Sequence, residues 1–156
     1  MVITGLENLK NMFSIFHDGC ILNYEVREGN LVLEVEIQYL AQRISNKFKC
    51  FQISLENVED LSFSPWYDDP SDKRAITTVE KIFTPELEIL SAETEGKYLK
   101  IACNQPLPNL GYCGGDLYLK TSSALITDEA NKSYSISELT TLCSEYWKEW
   151  RNKNKT

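Results

Sequence analysis

Histidine occurs once in this sequence, at His17, and that scarcity removes most imidazole chemistry at the outset. The chain also lacks paired histidines at metal spacing, a Cys-x-x-Cys pair, a glycine loop suited to phosphate and a nucleophile elbow. Most enzyme mechanisms are hard to build from what remains, and neither a metal nor a cofactor is expected. Long apolar runs are missing too. The longest span a few residues, against about 20 needed to cross a bilayer, so no membrane-spanning helix is expected. The opening Met1-Val2-Ile3-Thr4-Gly5-Leu6-Glu7 has no cationic region, apolar core or small-residue cleavage site, so no secretory signal is expected either.

Positive charge is in short supply. Sixteen Lys and Arg stand against 23 Asp and Glu, a formal net charge of −7 that repels nucleic acid and anionic membranes. A basic protein would be steered toward such a surface, although solubility alone is served by the same excess. Five cysteines, Cys20, Cys50, Cys103, Cys113 and Cys143, are odd in number and without motif spacing, which reads as reduced thiols in a cytoplasmic protein. Cys20, Cys50 and Cys103 fall in alternating apolar runs and are expected to pack in the core as small hydrophobes.

What is present points to one compact domain over residues 1–156. The apolar fraction is 42% and the charged fraction 25%, and a chain of this length buries roughly 70% of its unfolded surface. Thr4 and Glu7 have capping-box spacing, and Leu6, Leu9, Phe13 and Phe16 recur at helical intervals, predicting a helix over 5–16 that ends near Gly19. The period then changes to two. Cys20, Leu22, Tyr24 and Val26, a turn at Glu28-Gly29-Asn30, and Leu31, Leu33, Val35 and Ile37 predict a β-hairpin.

Phe48 to Leu55 reads as a strand with a phase change, and Val58 to Phe63 as another short strand. Prolines and aspartates make residues 64–74 the longest predicted loop. Residues 76–83 are ambiguous between helix and strand. A second hairpin is predicted over 86–103, with Leu99, Ile101 and Cys103 on one face, then a loop over 104–115 and one strand over 116–126. Ser135 and Glu138 repeat the capping-box spacing before a helix running to about Arg151, with Leu139, Leu142, Cys143, Tyr146 and Trp150 as its core stripe and 152–156 as a frayed tail. Hairpin-connected strands between terminal helices define an α+β fold, an antiparallel sheet or open sandwich.

Three places carry candidate chemistry. His17 beside Asp18 has the composition of an oriented general base, yet a histidine at a helix C-terminus is equally accounted for by free carbonyls and the helix dipole. Trp66 and Tyr67 with Asp68, Asp69 and Asp72 form an aromatic anchor with an acidic rim, the composition of a partner-binding loop and also of a solvated turn. Cys113, in the glycine-rich Tyr112-Cys113-Gly114-Gly115-Asp116, is the cysteine expected to be exposed, and a thiolate there would need His17 as its base.

The stretch Phe16-His17-Asp18-Gly19-Cys20-Ile21, leading into strand, turn and strand, resembles the start of several small bacterial domains, some of them immunity proteins of toxin systems. The resemblance covers roughly residues 13–40 and implies stoichiometric binding rather than catalysis. The expected function is therefore a non-catalytic protein-binding domain, in its most concrete form an inhibitor of a toxin. Two alternatives remain at this level: a small-molecule-binding or weakly catalytic domain using His17, Asp18 and Cys113, and a structural subunit that forms a homodimer through a sheet edge or the last helix.

Overall fold

A computed structural model describes residues 1–155. The chain forms, in order, β1 (Ile3–Thr4), α1 (Leu6–Ile15), β2 (Cys20–Arg27), β3 (Asn30–Glu36), α2 (Gln38–Ala41), β4 (Cys50–Glu56), β5 (Glu59–Tyr67), α3 (Val79–Ile82), β6 (Leu87–Glu95), β7 (Tyr98–Asn104), β8 (Tyr112–Lys120), β9 (Ser123–Thr127), β10 (Ser133–Tyr134) and α4 (Ile136–Lys153). The fold is α+β and mostly β, with a helix near each end as the sequence predicts.

The strands make one antiparallel sheet in the order β1-β9-β4-β3-β2-β6-β7-β8-β5, with β10 also on β9. β8 and β9 lie six places apart in that order, yet only Thr121 and Ser122 connect them. A flat sheet would separate them by about 29 Å, whereas such a link reaches only about 11 Å. The sheet must therefore fold back over itself. β4 and β5 have the same problem and solve it at the same corner: Glu56 faces Ser123 before the bend, and Glu59 faces Lys120 after it. One long ribbon, kinked in the middle, thus belongs to both layers.

Side chains staple the corner. Glu56 O accepts from Thr121 Oγ1 at 2.6 Å and from Ser122 N at 3.0 Å, and Asn57 N donates to Asn30 Oδ1 at 3.1 Å. Asn57 takes a φ of 52°, a left-handed conformation that asparagine tolerates better than most residues.

The inward faces follow the predicted period of two. Leu31, Leu33 and Val35 of β3, Phe51, Ile53 and Leu55 of β4, and Leu99, Ile101 and Cys103 of β7 are all buried. α1 closes this interior, packing on β6 and β7 with Leu9, Met12, Phe13 and Phe16 fully buried. Phe16 meets Phe51 edge to face at 5.4 Å.

Several local expectations are corrected. Thr4 does not cap α1: it pairs with Ser123 in β1, and Gly5 begins the helix at φ 89° without a side-chain cap. In β2 a bulge between Ile21 and Asn23 shifts the phase, so Ile21 is buried and Cys20 only half-buried. Cys50 is likewise half-buried, because Phe51, Ile53 and Leu55 hold the inward phase of β4; of the three expected core cysteines only Cys103 is buried.

Residues 64–67 are strand rather than loop, with Pro65 tolerated because β5 is an edge strand paired only with β8. The loop predicted over 104–115 gives way to β8 at Tyr112, and the single strand predicted over 116–126 is split at the corner into β8 and β9. The ambiguous segment contains α3, with Ile76 bridging to Phe63. Ser135 does cap α4, its Oγ accepting from Glu138 N at 3.1 Å. Of the stripe predicted for that helix only Leu139 is buried, while Trp150 is 48% exposed. α4 extends past Arg151 into the predicted tail, whose last residue, Thr156, lies outside the described residues.

Candidate functional site

His17 sits in the turn that joins α1 to β2. Its Nδ1 donates to Ser14 O at 2.9 Å, which satisfies a carbonyl at the end of α1 and fixes the ring. The other nitrogen lies 3.8 Å from Asp18 Oδ2, and the ring stacks on Trp147 with centroids 5.9 Å apart. Asp18 adopts φ 71°, and its N–H donates to Ile89 O at 2.7 Å, so the turn is tied to β6 by its backbone. Around it, Tyr39 stacks on Tyr146 at 4.5 Å and donates its hydroxyl to His17 O at 3.1 Å. Burial of Tyr39 raises its phenol well above the usual tyrosine range. Arg43 and Glu149 complete the clamp with a bidentate pair at 2.7 and 2.9 Å. The arrangement docks α4 onto the α1–β2 turn and accounts for each feature of the sole histidine.

Cys113 is exposed, as predicted, on β8. The hydrogen-bond, ion-pair and stacking partners of the His17 ring among the described residues are Ser14, Asp18 and Trp147, so the structure does not bring the thiol to the imidazole. Among the described residues no group of three or more His, Cys, Asp and Glu side chains is arranged to hold a metal.

The aromatic–acidic segment is rearranged relative to expectation. Asp69 Oδ1 accepts from Ser71 N and Oγ at 2.9 and 2.7 Å, and Asp72 accepts from Arg74 at 2.7 Å. These bonds hold both carboxyls below the usual carboxylate range, Asp69 chiefly through the Ser71 hydroxyl and Asp72 chiefly through the Arg74 side chain. Both acids therefore serve their own turn. Tyr67 donates to Arg74 O at 2.9 Å, and Asp68 N bonds Gly111 O at 2.8 Å. Trp66 is 39% exposed and donates its indole N–H to Asp116 at 3.0 Å. Its ring lies over Gly114, where an added Cβ would come within 2.9 Å of it. Glycine at 114 thus seats the tryptophan on the sheet.

From that seat a row of side chains crosses the outer face. Gly114 pairs with Asn104, Asn104 with Glu88, Glu88 with Cys20, Cys20 with Glu36, and Glu36 with Cys50. Residues directly opposite in a sheet share a face, so these groups are neighbours. Glu34 and Gln52 form the next pair along, Glu86 borders Cys20, and Glu129 accepts from the backbone N–H groups of Lys49 and Cys50. Glu34, Glu36, Glu86, Glu88 and Glu129 make no ion pair among the described residues.

Desolvation, with Glu34, Glu129 and Glu36, pushes the Cys50 thiol up to about 11, and desolvation with Glu88, Glu86 and Glu36 raises that of Cys20. Both thiols are kept protonated and unreactive. A pocket of about 240 Å³ opens beside the row, lined by Glu34, Cys50, Phe51, Gln52, Asp128 and Glu129 among others. Sequence reasoning found Trp66 and missed the carboxylates of this row. The outward phase of β3 was enough to reveal Glu34 and Glu36; Glu86, Glu88 and Glu129 arrive from other strands and give no local signal.

Comparisons with family models, with curated proteins and with solved structures find no match. No helix of the described residues is long and apolar enough to cross a membrane.

Proposed function

We propose that this chain binds a basic protein partner stoichiometrically, without catalysis, in the manner of an immunity-type inhibitor of a toxin. The observation that carries the reading is the row of carboxylates without cationic partners among the described residues, Glu88, Glu36 and Glu34, on the same outer face as the exposed Trp66, whose seat at Gly114 is separated from Glu88 by Asn104. Exposed like charges repel one another, and a fold that collects them on one face loses stability that a cationic partner would restore. An aromatic side chain on that face supplies the apolar anchor found at the centre of tight interfaces. The loop acids Asp68, Asp69 and Asp72 take a supporting place in this reading, since two of them are engaged by their own turn.

The test is capture of partner from the native cells by tagged wild-type protein and by two variants. Glu34→Lys with Glu36→Lys is expected to lose the partner, whereas Glu93→Lys, on the opposite half of the sheet, is expected to keep it. Rising salt should release the partner from the wild type, as charge-steered association requires. Equal capture by all three proteins would overturn the proposal.

A further inference from the structure

The edges of this sheet are not treated alike. β5 carries Pro65, two register shifts and a bridge from Ile76, devices that prevent further pairing. β9 is covered by β1 and β10, and β6 lies against α1. β2 differs. It pairs with β6 only at Cys20 and Ile21, and Pro85 stands before β6 where continued pairing would need a backbone donor. Beyond the bulge, residues Asn23 to Arg27 pair with β3 alone among the described residues, and no other backbone bond from those residues reaches them.

The hairpin fixes which groups are free. Glu28 and Gly29 both have positive φ, 49° and 83°, the signature of a two-residue type I′ turn. Arg27 and Asn30 are then a hydrogen-bonded pair, as are Glu25 and Val32, so the N–H and C=O groups of Tyr24 and Val26 point away from β3. Val26 is also 55% exposed, and Tyr24 packs on Phe83 at 5.4 Å, leaving apolar surface along the inner side of this edge. On the outer side a pocket of about 350 Å³ is lined by Asn23, Tyr24, Glu25, Val32, Glu34 and Gln52.

We infer that an extended, alternately apolar and basic segment of the partner adds as a strand to the free edge of β2, hydrogen-bonding Tyr24 and Val26. Its apolar side chains cover Val26, and its Lys or Arg side chains enter the pocket beside Glu34. Main-chain bonds would supply affinity and the alternating pockets selectivity, the usual division in strand addition. A second copy of this chain is disfavoured as occupant, because two chains of formal charge −7 would bring like-charged faces together. The inference rests on the reading of the acidic face given above.

The probe is a capped eight-residue peptide alternating lysine and valine, titrated into the full chain at low salt. Binding should slow hydrogen exchange at the Tyr24 and Val26 amides. Methylating alternate peptide nitrogens removes the edge bonds while keeping the charge, and should weaken binding about tenfold or more. Val26→Pro should do the same from the protein side, with its melting temperature reporting whether it folds; the methylated peptide needs no altered protein. Equal binding of both peptides, protection elsewhere, no binding, or a dimer through β2 that the peptide does not displace would each overturn strand addition. If the two peptides bind equally and Glu34→Lys weakens both, the acidic face stands and only strand addition fails. If Glu34→Lys with Glu36→Lys leaves capture of the native partner unchanged, the reading of the face has failed.

Discussion

On the half of the sheet formed by β5, β8, β7 and the far end of β6, beyond Glu88, Lys100 meets Glu93 at 3.3 Å, Lys120 meets Asp60 at 3.3 Å, and the Lys120 ammonium sits 4.8 Å from the centre of the Tyr98 ring. On the half formed by β2, β3 and β4, Glu34 and Glu36 meet no cation among the described residues, and Arg27 is held by Glu25 at 2.7 Å. Both faces are made by the same alternation on the same kind of strand. They differ in what stands near the acids: Glu93 faces Lys100 across the ladder and Asp60 is reached by Lys120, whereas Glu34 faces Gln52 and Glu36 faces Cys50 and Cys20. A single exposed charge costs little, so stability constrains its arrangement only weakly.

The largest effect should come from destroying one half of the comparison. At Gly115 an added Cβ would lie 2.6 Å from both Phe63 Cζ and Ser64 O, so Gly115→Ala should force β5 away from β8. A loss of about 3 kcal/mol is expected in a denaturant melt. The charge-paired face should loosen first, seen as faster hydrogen exchange in β5 and β8 than in β3 and β4.

Asp128 sharpens the contrast from the acidic side, because it is a carboxylate that the fold does use. It is 4% exposed and accepts from Tyr134 Oη at 2.7 Å, Ala130 N at 2.8 Å and Lys132 N at 3.0 Å. Burial by itself raises its pKa, but these hydrogen bonds, led by that from Tyr134, outweigh burial and leave it lowered. A depressed folded pKa means stability that is present above the unfolded value of about 3.9 and is lost as pH falls through the folded value. Asp128→Ala should cost about 2 kcal/mol near neutral pH. It should also flatten the acid limb of a stability–pH curve below about pH 5.

His17 belongs to neither face, and His17→Ala should cost about 0.5–1 kcal/mol through the lost bond to Ser14 and the lost stacking on Trp147. A thermal melt reads this, and partner capture should be unaffected. The smallest effect is expected from Lys100→Met with Lys120→Met, which leaves Glu93 and Asp60 as unpaired as Glu34. Exposed ion pairs of this kind contribute little, so the melting temperature should not move measurably. Capture should remain on the β2–β3–β4 face; a second binding site on the newly acidic half would show that charge alone, without the free β2 edge or Trp66, selects the partner.

Much of the scaffold was legible in advance. The hairpin of β2 and β3, the inward Leu99, Ile101 and Cys103, and the Ser135 cap follow from periods and spacings that act within a few residues. Errors gathered where distant chain segments meet. Thr4 became a strand partner because β9 offered it a ladder, and Trp66 became a sheet residue because Gly114 gave it room. Gly114 and Gly115 look like turn residues in sequence. In the structure they are strand glycines that let β5, β7 and β8 approach closely, a use with no local signature.

The candidate site divides along the same line. By itself the sequence determined which side of β3 is polar, that α1 has an apolar face and that the chain is acidic, since side-chain alternation and composition are properties of contiguous residues. Only the tertiary structure decided that the sheet bends at Asn57 and Thr121, that Glu88 lands beside Cys20 and Glu36, and that the edge of β2 stays open. Those outcomes depend on which strands pair. Pairing is set by burial shared among residues far apart in the chain, so no window of sequence contains it.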